Sequence, residues 1–486
     1  MTDMTPAPTL TSAQSDRAAG VLLGMACGDA LGAGYEFRPP LADDAPVDMI
    51  GGGGFCWEPG EWTDDTSMAV PIAQAIAAGR DLRDDDTLDD LVASWVDWAR
   101  TAPDVGIQLR AVLSSTESTA VGARVTAERH HLAHGRSAGN GSLMRTAPVA
   151  LAFLHDPDAL ATVARAISDL THFEADAGDA CVLWSLAIRH AVLTGELDVR
   201  IGLDSLDVDR RDLWLGRIDD AERREPSSFT RNGWVVEALQ AAWSSIRLDA
   251  DTSPATPADR LRLALERAVR GGRDADTVAA IAGGLLGAAH GASAVPAPWR
   301  RIVHGWPGLT ASELVRLGAL AARGGRDDGH RWPVGARMEY AHSGDISTLA
   351  RHPHDDGVWL GAVGVLDALP DQIDAVVSLC RVGASQVPAR IEHHVEVWLL
   401  DDERVDKNPN LEFVLRDTVD VIAALRAVGR TVLVHCVQAI SRTPSVAALY
   451  SARHLGVPIE QALSDVQAVL PWASPNGRFR LAVLTG

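Results

Sequence analysis

The sequence predicts a multidomain protein, a helical region followed by an α/β region, and three observations predict it. The 486 residues suffice for two or three domains, and 47% hydrophobic residues supply ample core. Through about residue 323 the apolar residues recur at helical spacing, with many small side chains among them. Beyond that point short β-rich runs at 358–361, 375–379, 395–400 and 431–434 are separated by helical ones such as 413–428, an alternation that predicts a parallel α/β sheet.

Charge and cysteine usage narrow the class. A formal charge of -21 argues against nucleic acid as a bulk partner, because binding to a phosphate backbone rests on clustered positive charge. Five scattered cysteines (Cys27, Cys56, Cys181, Cys380, Cys436) lack paired spacing and read as reduced thiols of a cytoplasmic protein, with no structural zinc. Residues 1–13 are polar and read as a disordered tail. No later run reaches membrane-spanning length without a charge or turn signal, so no membrane association is expected.

In chain order, a helical pattern starts at Asp16, and Gly24, Ala26, Gly28, Gly32 and Ala33 give it a small face open to close approach. Taken alone, Asp29 reads as a capped or solvated acid and Glu36 as a surface carboxylate. The four glycines at 51–54 lack the Gly-Lys-Ser/Thr ending of a phosphate loop and read as a flexible loop. They lead to Trp62-Thr63-Asp64-Asp65-Thr66, which precedes the apolar run 67–78. Its echo is Asp274-Ala275-Asp276-Thr277, before the run 278–289. Thr and Asp are preferred helix N-caps, yet each cluster holds more oxygens than capping uses, and crowded carboxylates repel unless a cation or protons neutralise them. An all-oxygen shell suits Mg2+ or Mn2+ if the two clusters converge, which spacing alone leaves open.

Between these clusters, an acidic turn at 81–86 separates the first helix from one at 88–100, and Asp104-Val105-Gly106 precedes another at 107–113. Gly139-Asn140-Gly141-Ser142, ahead of the apolar run 143–154, reads either as an ordinary Asn-Gly turn or as exposed N–H groups at a helix start suited to phosphate. Leu170-Thr171-His172 opens a helix at 175–193, and a lone histidine there is more often structural than catalytic. Residues 200–230 are charged and poorly periodic and read as an insertion or loop. Helices are expected at 232–246, at 260–269 after a turn at 254–259, and at 314–323, followed by a linker at 326–345.

Four of these segments, in this order, resemble the ADP-ribosylglycohydrolase family: Gly24–Ala33 followed by Glu36, Trp62–Thr66, Gly139–Arg145, and Asp274–Thr277. The resemblance runs from about residue 16 to 310 and ends on Gly287-Ala288 and Pro296 to Trp299. It implies an all-α domain over residues 14–325 with two metal ions, Mg2+ or Mn2+, at its centre, cleaving the bond between ADP-ribose and an acceptor. It also implies metal ligation by Thr63, Asp64, Asp65, Asp274, Asp276 and Thr277. Glu36 becomes a metal-site or water-orienting carboxylate, so that Glu36, Asp65 and Asp276 are the catalytic candidates. Gly106 is placed where a ligand approaches, Asn140, Gly141 and Ser142 on the diphosphate and ribose, and His172 near the ligand.

The last predicted strand runs into His435-Cys436-Val437-Gln438-Ala439-Ile440-Ser441-Arg442-Thr443, a Cys-x5-Arg loop at a strand-to-helix turn. Loop N–H groups and a helix N-terminus lower a thiol pKa and bind phosphate, while an arginine can grip two oxygens in a fork. The bland alternative is a buried cysteine with a surface arginine. Residues 346–486 resemble the dual-specificity (tyrosine phosphatase-like) family, which implies Cys436 as nucleophile, Arg442 as phosphoryl ligand, and Asp401 ahead of its neighbour Asp402 as general acid. Ala439 departs from that family's loop glycine, which weakens the phosphate cradle. Together the resemblances imply release of ADP-ribose from a modified protein or small molecule, arginine on protein first, by a chain that also carries a phosphatase-like domain. The alternatives are a phosphatase with an ADP-ribose-binding targeting module, and a non-catalytic binder of ADP-ribose or phosphate.

Overall fold

The computed structural model describes residues 9–247, 256–327 and 335–485. Residues 1–8 of the expected tail, 328–334 of the expected linker, and 254–255 of the expected turn lie outside them. The chain divides into two compact units, one built mainly of Gln14–Val295 and Ile302–Arg326, the other mainly of Pro296–Arg301 and Asp327–Gly486. The segment Pro296–Arg301, expected in the first domain, therefore groups with the second.

The first unit is helical: α1 (Ser12–Ala33), α2 (Asp64–Ala77), α3 (Asp85–Ala99), α4 (Ile107–Leu113), α5 (Ala120–His134), α6 (Val149–Ala152), α7 (Pro157–Asp169), α8 (Ala175–Thr194), α9 (Val208–Ala221), α10 (Val235–Arg247), α11 (Pro257–Arg270) and α12 (Ala275–His290) precede α13 (Ala297–Arg300), which belongs to the second unit, and α14 (Ala311–Ala321). The two-residue strands β1 (His304–Gly305) and β2 (Leu309–Thr310) form a small hairpin. Helix α1 starts at Ser12, inside the expected tail, and is buried without a break from Ala18 to Ala33, as a helix apolar on every side must be.

The pairing of α1 with α12 rests on glycine. A Cβ placed on Gly20 would lie 2.3 Å from the Gly287 carbonyl oxygen, one on Gly24 2.4 Å from that of Gly283, and one on Gly28 2.1 Å from that of Ala279. These separations exclude any side chain, so the backbones touch at four successive positions, and the antiparallel register sets Gly32 against Asp276. Most of residues 200–230, expected to be an insertion or loop, instead belong to a 3-10 turn (Val199–Ser205) and α9. Only Trp214, Ile218 and Ala221 of α9 are buried. Its other anchors are ionic, Arg217 to Asp176 at 2.9 Å and Arg210 to Asp179 at 2.5 Å, so a charge pairing with α8 hides the apolar periodicity.

The second unit carries a five-stranded sheet in the order β3-β4-β7-β5-β6, made of β3 (Leu349–Arg351), β4 (Val358–Ala362), β5 (Ala375–Ser378), β6 (His393–Glu396) and β7 (Val432–Cys436). Four strands are parallel, but β3 runs antiparallel to β4, which corrects the expectation of a purely parallel sheet. At three residues and with no buried position, β3 leaves no alternation in the sequence. Helices α15 (Leu411–Ala427), α16 (Arg442–Leu455), α17 (Ile459–Val469) and α18 (Gly477–Thr485) complete the unit. The described part of the expected linker is tied to this unit: the Tyr340 hydroxyl donates to the Arg381 carbonyl at 2.7 Å and Met338 N–H to Gln386 Oε1 at 3.0 Å.

Candidate active sites

Helix packing brings the two acid clusters together. The Thr63 hydroxyl at the start of α2 lies 3.0 Å from Asp65 Oδ2 and 3.4 Å from Asp276 Oδ2, and the Thr277 hydroxyl lies 3.4 Å from Asp65 Oδ2. Oxygens of Asp29, Asp65 and Asp276 fall within 4.8 Å of one another, and so do those of Glu36, Asp274 and Asp276, so Asp276 belongs to both groups. Neither Thr63 nor Asp274 caps its helix through its side chain, so the capping explanation of these residues fails. Asp65 Oδ1, Asp276 Oδ1 and Glu36 Oε2 are buried without a hydrogen-bond partner. Orphaned carboxylate oxygens in a buried all-oxygen cluster fit divalent cations.

The electrostatics agree with that fit. Burial first, and then the neighbouring carboxylates, raise Asp64, Asp65 and Asp276 well above the ordinary range and Glu36 to about 9. Asp29 and Asp104 rise to about 6, in each case chiefly through burial. Without a cation, burial and mutual repulsion favour the protonated carboxyls.

A cleft of about 850 Å³ opens onto this cluster, lined by Glu36, Asp64, Asp104, Asp274 and Thr277 on one part and by His130, His134, Arg136 and the Gly139–Gly141 loop on another. Among its walls are Gly106, Asn140, Gly141 and His172. The His172 ring lies under the glycine loop, since a Cβ on Gly141 would meet its Nε2 at 3.3 Å. Its Nδ1 pairs with the Thr171 hydroxyl at 2.8 Å, and burial, followed by the charge of Arg145, holds it neutral.

In the second unit, Cys436 ends β7 and is buried, and the loop 437–441 leads directly into α16. Arg442 is also buried: its Nη1 donates to the Leu399 carbonyl at 2.7 Å, while its Nε has no hydrogen-bond partner and lies 3.9 Å from an Asp401 oxygen. Asp401 accepts from Asn476 Nδ2 at 2.8 Å, whereas Asp402 is turned to Arg404, with an oxygen 2.7 Å from Nη2. Ala439 sits at φ +58, in the left-handed region that favours glycine.

A family model describing ADP-ribosylglycohydrolase matches residues 10–328. The chain belongs to the ADP-ribosylglycohydrolase family. Within this family, the glycohydrolase is 30% identical over 303 residues to ADP-ribosylarginine hydrolase Tri1 of Pseudomonas putida, a match covering 60% of this chain and 75% of that one. It is also 30% identical over 300 residues to ADP-ribosyl-[dinitrogen reductase] glycohydrolase of Rhodospirillum rubrum, covering 58% and 89%. Its C-terminal region is similar to a different protein, the human protein phosphatase Slingshot homolog 3, at 31% identity over 110 residues. That match covers 22% of this chain and 16% of the human one. The chain is therefore a hydrolase with a helical glycohydrolase domain and a phosphatase-like C-terminal region.

Among the expected site residues of the glycohydrolase, two are placed otherwise than expected, Ser142 and Asn140. Ser142 is absent from the cleft wall; fully buried, its hydroxyl accepts from Ser168 Oγ at 3.0 Å, deep behind the loop. No helix opens at Ser142 either, because residues 141–145 are turns and the following helix is the four-residue α6. Asn140 points its amide at the acid cluster, donating to Asp274 Oδ2 at 2.7 Å and to the Asn232 carbonyl at 3.0 Å. Asn232, outside the expected set, joins the site: its Nδ2 donates to the Gly272 carbonyl at 3.0 Å and its Oδ1 accepts from Asp274 N–H at 3.3 Å. Asp104, likewise outside the expected set, lines the cleft. The position of Asp104 directly before the Val105-Gly106 start of α4 was the available signal.

Proposed function

We propose that the chain releases ADP-ribose from an ADP-ribosylated acceptor, with arginine on protein first and serine, a nucleobase or a small molecule behind it. The observation that carries this reading is the convergence of Thr63, Asp64 and Asp65 with Asp274, Asp276 and Thr277 at the floor of a large cleft, with orphaned oxygens on Asp65, Asp276 and Glu36. The names of the two bacterial relatives, an ADP-ribosylarginine hydrolase and a glycohydrolase of ADP-ribosylated dinitrogen reductase, favour a protein acceptor.

Asp64, Asp65, Asp274, Asp276, Thr63 and Thr277 would hold two divalent ions, Mg2+ or Mn2+. Such ions, when bound, fix the ribose hydroxyls and lower the pKa of an attacking water. The remaining chemistry belongs to the chain. Glu36 lines the cleft, carries a buried oxygen without a hydrogen-bond partner, and takes the proton of the attacking water as general base. The water oxygen joins the anomeric carbon, the bond to the acceptor breaks, and the surrounding carboxylates offset the positive charge that develops on the sugar. Asn140 and Asn232 hold Asp274 in place from two sides.

The test is release of free ADP-ribose from an arginine-ADP-ribosylated peptide with Mg2+, with Mn2+ and with chelator, beside Asp276→Asn. Metal-dependent release that the variant loses supports the reading. A variant that keeps full metal-dependent activity sinks it.

A second reading rests on Arg442. A buried guanidinium with an unpartnered Nε, beside Cys436 and the N-terminus of a 14-residue helix, suits a phosphoryl group. There Cys436 attacks phosphorus, and Asp401, the one of the two neighbouring acids that faces Arg442, protonates the leaving oxygen. Hydrolysis of an aryl phosphate by the full chain, abolished in Cys436→Ser, tests this activity.

A further inference from the structure

Asp29 on α1 belongs to one of the two acid groups, yet its hydrogen bonds set it apart from the others. Its Oδ1 accepts Thr63 N–H and the Thr63 hydroxyl, both at 2.9 Å. Its Oδ2 accepts Thr66 N–H at 2.9 Å and the Thr66 hydroxyl at 2.7 Å. An ionised carboxylate has about four lone-pair sites, and here four donors occupy them. Asp65 Oδ1 and Asp276 Oδ1, by contrast, accept nothing. Asp29 is also fully buried, and Gly28 beside it packs against Ala279 with no room for a Cβ, so α1 is held against α12 at this point by backbone contact.

We propose that Asp29 is a positioning residue for the metal centre, one that caps α2 in place of Thr63 and accepts the hydrogen bond of the Thr63 hydroxyl, and that it is not itself a ligand. Two consequences follow from the donor count. The first-turn N–H of Thr66, which an N-cap side chain at position 63 would ordinarily satisfy, is served from another helix, so the Thr63 hydroxyl is released from capping. That hydroxyl has one proton and two lone pairs. With the proton directed to Asp29 Oδ1, the lone pairs turn toward the side where Asp65 and Asp276 lie, at 3.0 and 3.4 Å. Outer partners of this kind orient a ligand and raise its basicity. The inference rests on the reading of the acid cluster as a metal centre.

The experiment is calorimetric titration of Mn2+ into the chelator-treated full chain, read as affinity rather than turnover, on a double-mutant cycle of Asp29→Asn and Thr63→Val. Each single variant is expected to lose about 10- to 100-fold in Mn2+ affinity. The double variant should lose no more than the worse single, because Asp29 acts through Thr63. Losses that multiply would make Asp29 an independent ligand and overturn the proposal. A wild-type chain that binds no Mn2+ would instead overturn the metal-centre reading and carry this inference down with it. Thermal unfolding of each chelated variant checks the fold. Should Asp29→Asn fail to fold, Thr66→Val removes one anchor of Asp29 and leaves every carboxylate of the cluster in place: a several-fold loss of Mn2+ affinity is expected, and unchanged affinity refutes the idea.

Discussion

The acid cluster draws oxygens from the starts of α2 and α12, where Thr63 and Asp276 stand 213 residues apart, whereas the cysteine loop takes its thiol and guanidinium from one run, Cys436–Arg442. The first is held by packing between helices and the second by local backbone conformation. Each is accordingly vulnerable in a different place: the acid cluster at glycines remote in sequence from any acid, the cysteine loop at the single left-handed residue inside it.

The sharpest way to separate the two sites is substitution at their chemistry. Asp276→Asn should lower ADP-ribose release by at least about 100-fold while aryl phosphate hydrolysis stays unchanged, and Cys436→Ser should do the reverse. A substitution that silences both activities would break the picture of two independently assembled sites.

Next in size is the helix pair. A Cβ at Gly28 would lie 2.1 Å from the Ala279 carbonyl oxygen, so α1 and α12 must move apart in Gly28→Ala. Such overpacking costs about 1–3 kcal/mol, read from denaturant unfolding, and should weaken Mn2+ binding although no ligand has changed. Unaltered metal affinity would show that the cluster tolerates helix displacement.

A pH series sharpens the same point. Carboxylates whose folded pKa is raised bind more protons in the native than in the unfolded state, so their contribution is present at low pH and is lost as pH rises through the folded value. With Glu36 raised from 4.5 to about 9, largely by burial, the chelated chain should melt at progressively lower temperature as pH climbs across that interval. Mn2+ should restore the loss most at the alkaline end. A chelated protein whose melting temperature rises over this range would contradict the buried, unneutralised cluster.

The smallest expected effect concerns Ala439. A non-glycine residue at φ +58 carries a penalty of about 1 kcal/mol, partly offset by the greater unfolded-state freedom of glycine, so Ala439→Gly should be neutral to slightly stabilising. Tighter vanadate binding by that variant would identify Ala439 as the cause of a weakened cradle.

Much of this was legible in the residues. The helical period up to residue 323 and the β-rich runs beyond it gave the two classes of architecture, and the strand-to-helix setting of Cys436 needed no tertiary information because all its parts are neighbours in sequence. The stretch 199–221 was not legible, because only Trp214, Ile218 and Ala221 of α9 are buried and arginine–aspartate pairs supply the rest of its anchoring. Nor was β3, too short to show a period.

By itself the sequence determined which oxygens, which thiol and which guanidinium are available, since composition and local spacing are written along the chain. Only the tertiary structure decided how they are used. It gave the capping of α2 to Asp29, freed Thr63, turned Asn140 to Asp274, withdrew Ser142 from the cleft, and faced Asp401 toward Arg442 while Asp402 turned to Arg404. Most of those outcomes are hydrogen bonds between residues tens to more than a hundred positions apart, and a donor at such a distance finds its acceptor only after the helices have packed.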